Sequence, residues 1–515
     1  MNVQKTVKNP IVICSAAIAL LWQTITYFAC RTLFEFPDSG EGRYTAAVTD
    51  HAICKVLACI VLFIFLRVAL TALSQKDINA GIFSGVFRCA LYYLPVILAA
   101  AAIKLPAGFL TNDEYSIYND ATHLIHDTWF NYMTVYYYIV SLMIIPYRYG
   151  PIIIKLVIEF FAVGYTVYRS ERYFGKTAGM FMYLLFLLYP VIAYTTSAHR
   201  LPVYFLIYLV LFVKLIFDRL ENGNVTNTVL FFMLLAGAVL TQWRTEGIYL
   251  LALVPILMLF TYPRLRNRRS FAILIVTYLA LQYILSVPQN GAVARGIGGA
   301  ANDRMKPFYA YTITNMYRNG LDPDRNTDDL AIVDRYLSLE MIEKINEHYG
   351  DINYEDVLIL YKEGFVGVRE NAGDAEFAAY SDALKRIFRN NPDVFAKTRW
   401  GAFCYAALPY HITFSGTGLR DLVSFGVSVV KSFAYNLFIP VIFAAVLLVY
   451  SLIKKKWFSF FVTGGLMCHW FIVFVLAPAS YFKYYFPVYI LSYFYAAALL
   501  IWAFTRKDGR ACPLV

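Results

Sequence analysis

The sequence predicts an all-α polytopic membrane protein with about twelve transmembrane helices and a small, mostly helical extracytoplasmic domain. Three observations carry that prediction. The 515 residues are 59% hydrophobic and only 15% charged, with a mean hydropathy of +0.55, whereas soluble domains carry about 25% charged residues. Apolar runs long enough to cross about 30 Å of hydrocarbon, roughly 17–25 residues, recur along the chain. Tyrosine (42) and phenylalanine (41) are heavily used, as they are at membrane interfaces and along lipid- or sugar-binding grooves. The same composition excludes disorder, collagen and coiled coil.

Two spans, 11–34 and 52–74, lie within an N-terminal segment, 1–85. The first is not followed by a convincing small-residue cleavage site and reads as a retained helix rather than a signal peptide. The span 86–107 opens a stretch, 86–287, that holds seven of the spans. An acidic loop, 108–133, follows it, and then 134–146, apolar but too short to cross, which is expected to lie on the membrane surface or re-enter it. Spans at 150–168, 177–196, 202–217, 228–243, 247–262 and 271–287 complete the stretch. Residues 288–431 have water-soluble composition and nearly balanced charge. Helical periodicity marks 329–346 and 380–407 there, the latter restarting at Asn391-Pro392 with Asn as N-cap and Pro in the first turn. Three spans, 432–452, 457–477 and 487–504, and a cytoplasmic tail make up 432–515.

Charge placement sets the orientation. The formal net charge is +11. With the N-terminus in the cytoplasm, the inner connections hold Lys5, Lys8, Lys76, Arg88, Arg169, Arg172, Lys176, Lys214, Arg219, the arginines of 264–269, the lysines of 454–456, and Arg506, Lys507 and Arg510. The first outer loops hold Glu35, Asp38, Glu41 and Asp50, then Asp113, Glu114, Asp120 and Asp127. This is the positive-inside pattern with both termini cytoplasmic, so no nucleic-acid partner is needed to explain the charge. The cysteines form neither a disulfide framework nor a zinc-ligand spacing. The one Asn-x-Thr sequon, at Asn224, falls on the inner side, which fits a bacterial plasma membrane better than the endoplasmic reticulum.

Ionisable groups near the bilayer are expensive and mark candidate sites. Residues 111–126 read Thr-Asn-Asp-Glu-Tyr-Ser-Ile-Tyr-Asn-Asp-Ala-Thr-His-Leu-Ile-His. The adjacent Asp113 and Glu114 directly follow a span, and Asp120, His123 and His126 follow at roughly helical spacing. A carboxylate held there can act as a general base; the plainer reading is an acidic helix start. A second group is cationic and lies where spans reach the outer face: His199-Arg200, Arg244 beside Glu246, and Lys483, with Lys155 just inside the fourth span. A lipid phosphate is a natural partner, because Arg binds phosphate bidentately in a poorly hydrated site. Snorkelling, or pairing with an acid such as Glu246, is the structural alternative.

Taken in order, these pieces resemble the GT-C superfamily of integral-membrane glycosyltransferases, including the protein O-mannosyltransferase and aminoarabinose transferase-like group. Residues 86–287 resemble its seven-span module: the Asp113-Glu114 loop, the apolar 134–146 piece, the Tyr173-Phe174-Gly175 turn, Tyr189-Pro190 inside a span, and Arg244-Thr245-Glu246-Gly247 joining two short spans. The resemblance implies a polyprenyl-phosphate-linked sugar donor, a glycan, lipid or protein acceptor, and an inverting single displacement at the outer membrane face. Asp113 would be the base, with Glu114 beside it. Arg200, Arg244, Lys483 and His199 would hold the donor phosphate, supported by Asp120, Lys155 and Glu246. Some members use a divalent metal; the Asp and His spacing here is not diagnostic of one, and no metal ligands are assigned. Lys155 stands where many relatives have Arg. Two spans precede the module, and Asp38 in the earlier outer loop rivals Asp113.

Two other readings stay open. A secondary transporter also has twelve spans, with Glu159 the best mid-bilayer charge. A lipid-linked polysaccharide ligase or polymerase would draw on His348, Arg318, Arg399 and His411 in 288–431.

Overall fold

The computed structural model describes residues 10–74, 81–108, 111–125, 131–196, 201–294, 305–349, 360, 364–369, 373–412, 416 and 418–505. Helix accounts for 83% of them, and the nearest approach to a strand among them is one antiparallel bridge, Leu337 to Val368. The chain is an all-α, multi-pass membrane protein. It divides into two units: 1–300 with 446–465 and 490–515, and 301–445 with 466–489.

The first unit begins with α1 (Pro10–Ala29), α2 (Tyr44–Ser74) and α3 (Ile82–Lys104), then α4 (Asn112–Thr122), α5 (Tyr132–Ile144) and α6 (Gly150–Phe174). After α6 come three short pieces, α7 (Lys176–Met180), α8 (Tyr183–Phe186) and α9 (Tyr189–Thr196). Then follow α10 (Leu201–Leu220), α11 (Asn227–Trp243), α12 (Leu250–Thr261) and α13 (Arg268–Ala294). Among the described residues nine helices are long and apolar enough to cross a membrane, and a tenth crossing is available if the bent pair Lys176–Phe186 and Tyr189–Thr196 counts as one. The other two of the twelve anticipated spans are the shorter apolar helices Asn227–Trp243 and Thr245–Thr261. The 65° bend in the pair has a local cause. Pro190 has no N–H to donate and disfavours helical backbone in the residue before it. The Phe186 carbonyl freed at the break is taken by the Tyr93 hydroxyl at 2.8 Å.

Helix α10 is the most buried of these candidate spans, with 83% of its apolar window covered, against 11% for α2. Helices α3 and α6 approach closely. A Cβ on Gly164 would collide with the Val86 carbonyl and the Ala90 side chain, the small-residue packing expected where apolar solvent gives helices little reason to associate. Gly175, at φ +92°, ends α6 and donates its N–H to Glu171 O at 2.9 Å, a left-handed stop that costs a residue without Cβ little. Helix α5 buries nine of its thirteen residues, so neighbouring protein covers most of it. The Trp22 indole N–H and the Gln23 amide of α1 donate to its terminal carbonyls, Ile144 O and Met143 O, at 2.9 and 3.2 Å.

At the far end of α6, Arg169 donates to Asp218 at 3.0 Å through both terminal nitrogens. Lys214 and the Tyr262 hydroxyl reach the same carboxylate, each at 2.7 Å. Arg88 pairs with Glu171 at 2.6 Å. These acids and bases tie α3, α6 and α10 together, and Tyr262 adds the end of α12.

The second unit contains α14 (Met305–Arg318), α15 (Thr327–Asp334), α16 (Leu339–His348), α17 (Asp374–Asn390), α18 (Pro392–Ala407) and α19 (Leu419–Ala434). Helix α20 (Phe438–Ile453) begins in it, α21 (Trp457–Leu476) ends in it, and α22 (Phe486–Thr505) starts in it. Helices α14–α17 enclose an apolar core around Ile313, Met316, Val333, Leu337, Ile342, Tyr380 and Leu384. The helix expected over 329–346 is two helices. Ser338 accepts the Met341 N–H at 3.3 Å and starts the second one. Pro392 opens α18 as expected, but Asn391 makes no side-chain cap; its amide donates backwards to Ile387 O at 2.8 Å and across to Asn326 at 2.9 Å. Arg399, 1% exposed, donates to Phe474 O and Ala477 O at 2.7 and 2.8 Å. It caps the C-terminus of α21, so the cation considered for a ligase site is used in holding the fold.

Candidate functional site

Asp113 and Glu114 occupy the first turn of α4, where the helix dipole favours carboxylates. They differ in environment. Glu114 shares one face with Ile117 and Ala121, and all three are fully buried. Asp113 is half-buried, and Asp120, seven residues on and therefore on the same face as Asp113, is half-buried too. The Thr111 hydroxyl donates to the Glu114 carboxylate. A buried carboxylate is costly without a counter-charge, and Lys155 of α6, 2% exposed, lies within electrostatic range of it. The same ammonium feels Glu159, one turn further along α6 and 1% exposed. Thr195, near the end of α9, lies within electrostatic range of Glu159, its hydroxyl donating to Val191 O at 2.8 Å. Three helices, α4, α6 and α9, thus converge on one buried lysine and two buried carboxyl groups. Of the residues anticipated from sequence, Glu114 and Lys155 are brought together here, and Glu159 and Thr195 join them.

Arg244 closes α11 in extended backbone and pairs with Glu246 on the 3₁₀ turn Thr245–Tyr249. Both side chains are largely covered, at 13% and 12% exposure. Tyr204 of α10, fully buried, is in electrostatic contact with both. Its hydroxyl and the Leu240 carbonyl crowd Gly247 so closely that a Cβ there would strike the carbonyl, so Gly247 lets the turn fold down onto α10. Beside Arg244, the Trp243 ring lies 5.9 Å from that of Tyr137 on α5, and the Tyr137 hydroxyl donates to Pro151 O at the start of α6. Tyr137 therefore links the Arg244 turn to the helix that carries Lys155.

Several expectations meet structural roles instead. His123 caps α4, with Nδ1 2.8 Å from Asn119 O and Nε2 3.1 Å from Glu35. Asp38 is exposed, its carbonyl accepting the Glu41 N–H in a turn. Tyr136 donates to Asp50 at 2.7 Å; burial, and then the neighbouring carboxylate, hold its hydroxyl well above the usual tyrosine pKa, so it remains a donor. Lys483 belongs to the second unit and lies 4.6 Å from the Tyr481 ring centroid. His199, Arg200 and His126 lie outside the described residues. Sequence reading passed over Tyr137, Tyr204 and Arg148. Arg148 stands just before α6 with its guanidinium 5.8 Å from the Tyr115 ring of α4, and as a cation between two apolar segments it carried the same signal as Arg244. Among the described residues no three His, Cys, Asp or Glu side chains converge in a metal-ligating group.

No family model, curated protein or solved structure matches this chain.

Proposed function

We propose that this protein is an integral-membrane glycosyltransferase. It would move a sugar from a polyprenyl-phosphate donor to an acceptor hydroxyl at the outer face of a bacterial plasma membrane. The observation that carries the reading is the division of labour in the first turn of α4. Glu114 is buried and set against Lys155, while Asp113 beside it stays half-buried and reachable. That is the arrangement a general base needs: one carboxylate fixes the helix start and the next meets substrate.

In this reading Asp113 takes the proton of the acceptor hydroxyl as its oxygen attacks the anomeric carbon. The bond from that carbon to the phosphate oxygen breaks, and the lipid phosphate leaves with one more negative charge than it had as a diester. One displacement inverts the configuration. Glu246 orients Arg244, whose guanidinium would meet the growing phosphate charge, with Arg200 and His199 as further donors. Preorganised cations matter most at that point, because the charge appears only as the bond breaks. Asp120, on the face of α4 that carries Asp113, would orient the acceptor.

Two measurements test this. Purified protein should bind polyprenyl phosphate, and Arg244→Ala should weaken that binding. Asp113→Asn should lower transfer by about 10²–10⁴-fold, the usual contribution of a general base, while donor binding stays near wild type. Undiminished transfer by Asp113→Asn, or no specific polyprenyl-phosphate binding by folded protein, would reject the assignment.

One observation favours a transporter instead: two ionisable residues, Lys155 and Glu159, are buried one turn apart inside a spanning helix. Flux through proteoliposomes that Lys155→Met or Glu159→Gln abolishes, with no sugar transfer by wild type, would establish that alternative.

A further inference from the structure

The two helices ahead of the module, α1 and α2, enclose a half-open recess of about 90 Å³ with the end of α5. At about 10–15 Å³ per water-sized group, it admits several, as the oxygens of a phosphate would require. Three basic side chains line it: Arg31, His51 and Lys55. Lys55 donates to the Thr26 hydroxyl at 3.4 Å and lies 5.8 Å from the Tyr27 ring. His51 is ringed by Phe36 at 5.2 Å, Phe34 at 5.4 Å and Tyr27 at 6.4 Å. No carboxylate lines the recess among the described residues. The two acids nearest in sequence are engaged elsewhere, Asp50 by Tyr136 and Glu35 by His123. Arg31 has no ion pair among the described residues.

Three basic groups are thus gathered in a wall of aromatic rings with no carboxylate in the lining, surroundings that favour an anion. The surroundings specify what kind. Leu20, Leu21 and Phe28 on α1 are 60–70% exposed, a face suited to a hydrocarbon chain. At about 1.5 Å per residue, α2 beyond Lys55 is long enough to cross about 30 Å of hydrocarbon. That puts Lys55, His51 and Arg31 near headgroup depth, where a charged group can meet both water and lipid. We infer that the recess formed by Arg31, His51 and Lys55 is a binding site for the phosphate headgroup of a membrane lipid, separate from the Arg244 turn. It would exist whether or not the chain transfers a sugar.

The test uses the full chain, delipidated in detergent and followed by native mass spectrometry. It is titrated in separate arms with inorganic phosphate, phosphatidic acid and polyprenyl phosphate. Each arm compares wild type with Arg31→Gln/Lys55→Gln and with Lys55→Arg, and each is repeated in the Arg244→Ala background to remove the donor site proposed above. The double variant should bind phosphate-bearing lipid about tenfold or more weakly, as the loss of charge-assisted contacts implies. Lys55→Arg should retain binding, and the difference should persist in the Arg244→Ala background. Binding of both lipids would make this a general lipid-phosphate site, and binding of polyprenyl phosphate alone would make it a site for donor-type lipid. Equal affinity of wild type and double variant at matched thermal stability would overturn the assignment, as would inorganic phosphate binding with no gain from either lipid tail.

Discussion

The ion network at the far end of α6 gives the most direct measure of what holds these helices together. Asp218, with its side chain 8% exposed, accepts from Arg169 twice at 3.0 Å, from Lys214 at 2.7 Å and from Tyr262 at 2.7 Å. Asp218→Ala would leave Arg169, itself 9% exposed, without its main counter-ion. Removing one partner of a buried pair costs about 3–5 kcal/mol, chiefly because a charge stays buried uncompensated. Glu221 is the built-in control: it meets the same guanidinium only once, at 3.3 Å, and is 25% exposed. Glu221→Ala should therefore cost about 0–1 kcal/mol. Unfolding in mixed micelles, titrated with a denaturing detergent, would read both variants against wild type. The double variant Asp218→Ala/Arg169→Leu should recover part of the loss, because the deeply buried guanidinium is gone and the charges left behind, Lys214 and Glu221, are 23% and 25% exposed. If Asp218→Ala costs no more than Glu221→Ala, or the double variant is simply additive, the network does not stabilise these helices in the way described.

Two further substitutions probe packing and capping. Gly164→Leu should force α3 from α6 and cost about 1–3 kcal/mol or more, with Gly164→Ala milder, both read by thermal melting; no loss in either would mean that the Val86 and Ala90 contacts are not limiting. Arg399→Met strands the buried carbonyls of Phe474 and Ala477, at about 1–3 kcal/mol for each orphaned acceptor. Arg399→Lys should recover only part of that in the same melt, because an ammonium cannot reproduce the guanidinium fork.

Much of the fold was legible in the sequence because its cues act over a few residues. Hydropathy over a window of about twenty residues located the spans, since a helix in lipid must satisfy its own backbone. Pro392 predicted the start of α18, whereas 177–196, expected as one span, is broken just before Pro190, and the helix expected to end at 168 runs on to Phe174, before Gly175. The site was legible only in outline. The Asp-Glu pair and Arg244 could be picked out as charges in costly places. That Glu114 would be the buried member and Asp113 the accessible one depends on Lys155, which comes from another helix.

What the sequence by itself determined is therefore the class of molecule: an all-α chain crossing the membrane many times, with a polar helical segment late in its length. The tertiary structure alone decided which charges are partners. It set Arg169 on Asp218 across 49 residues and Arg399 on the carbonyls closing α21 across 75 and 78. It gathered Arg31, His51 and Lys55 around one recess. The physical reason is a difference of range. Hydropathy, proline and glycine act on the backbone next to them, whereas a buried charge is stabilised only by whatever the folded chain brings within a few ångströms, and no local pattern encodes that.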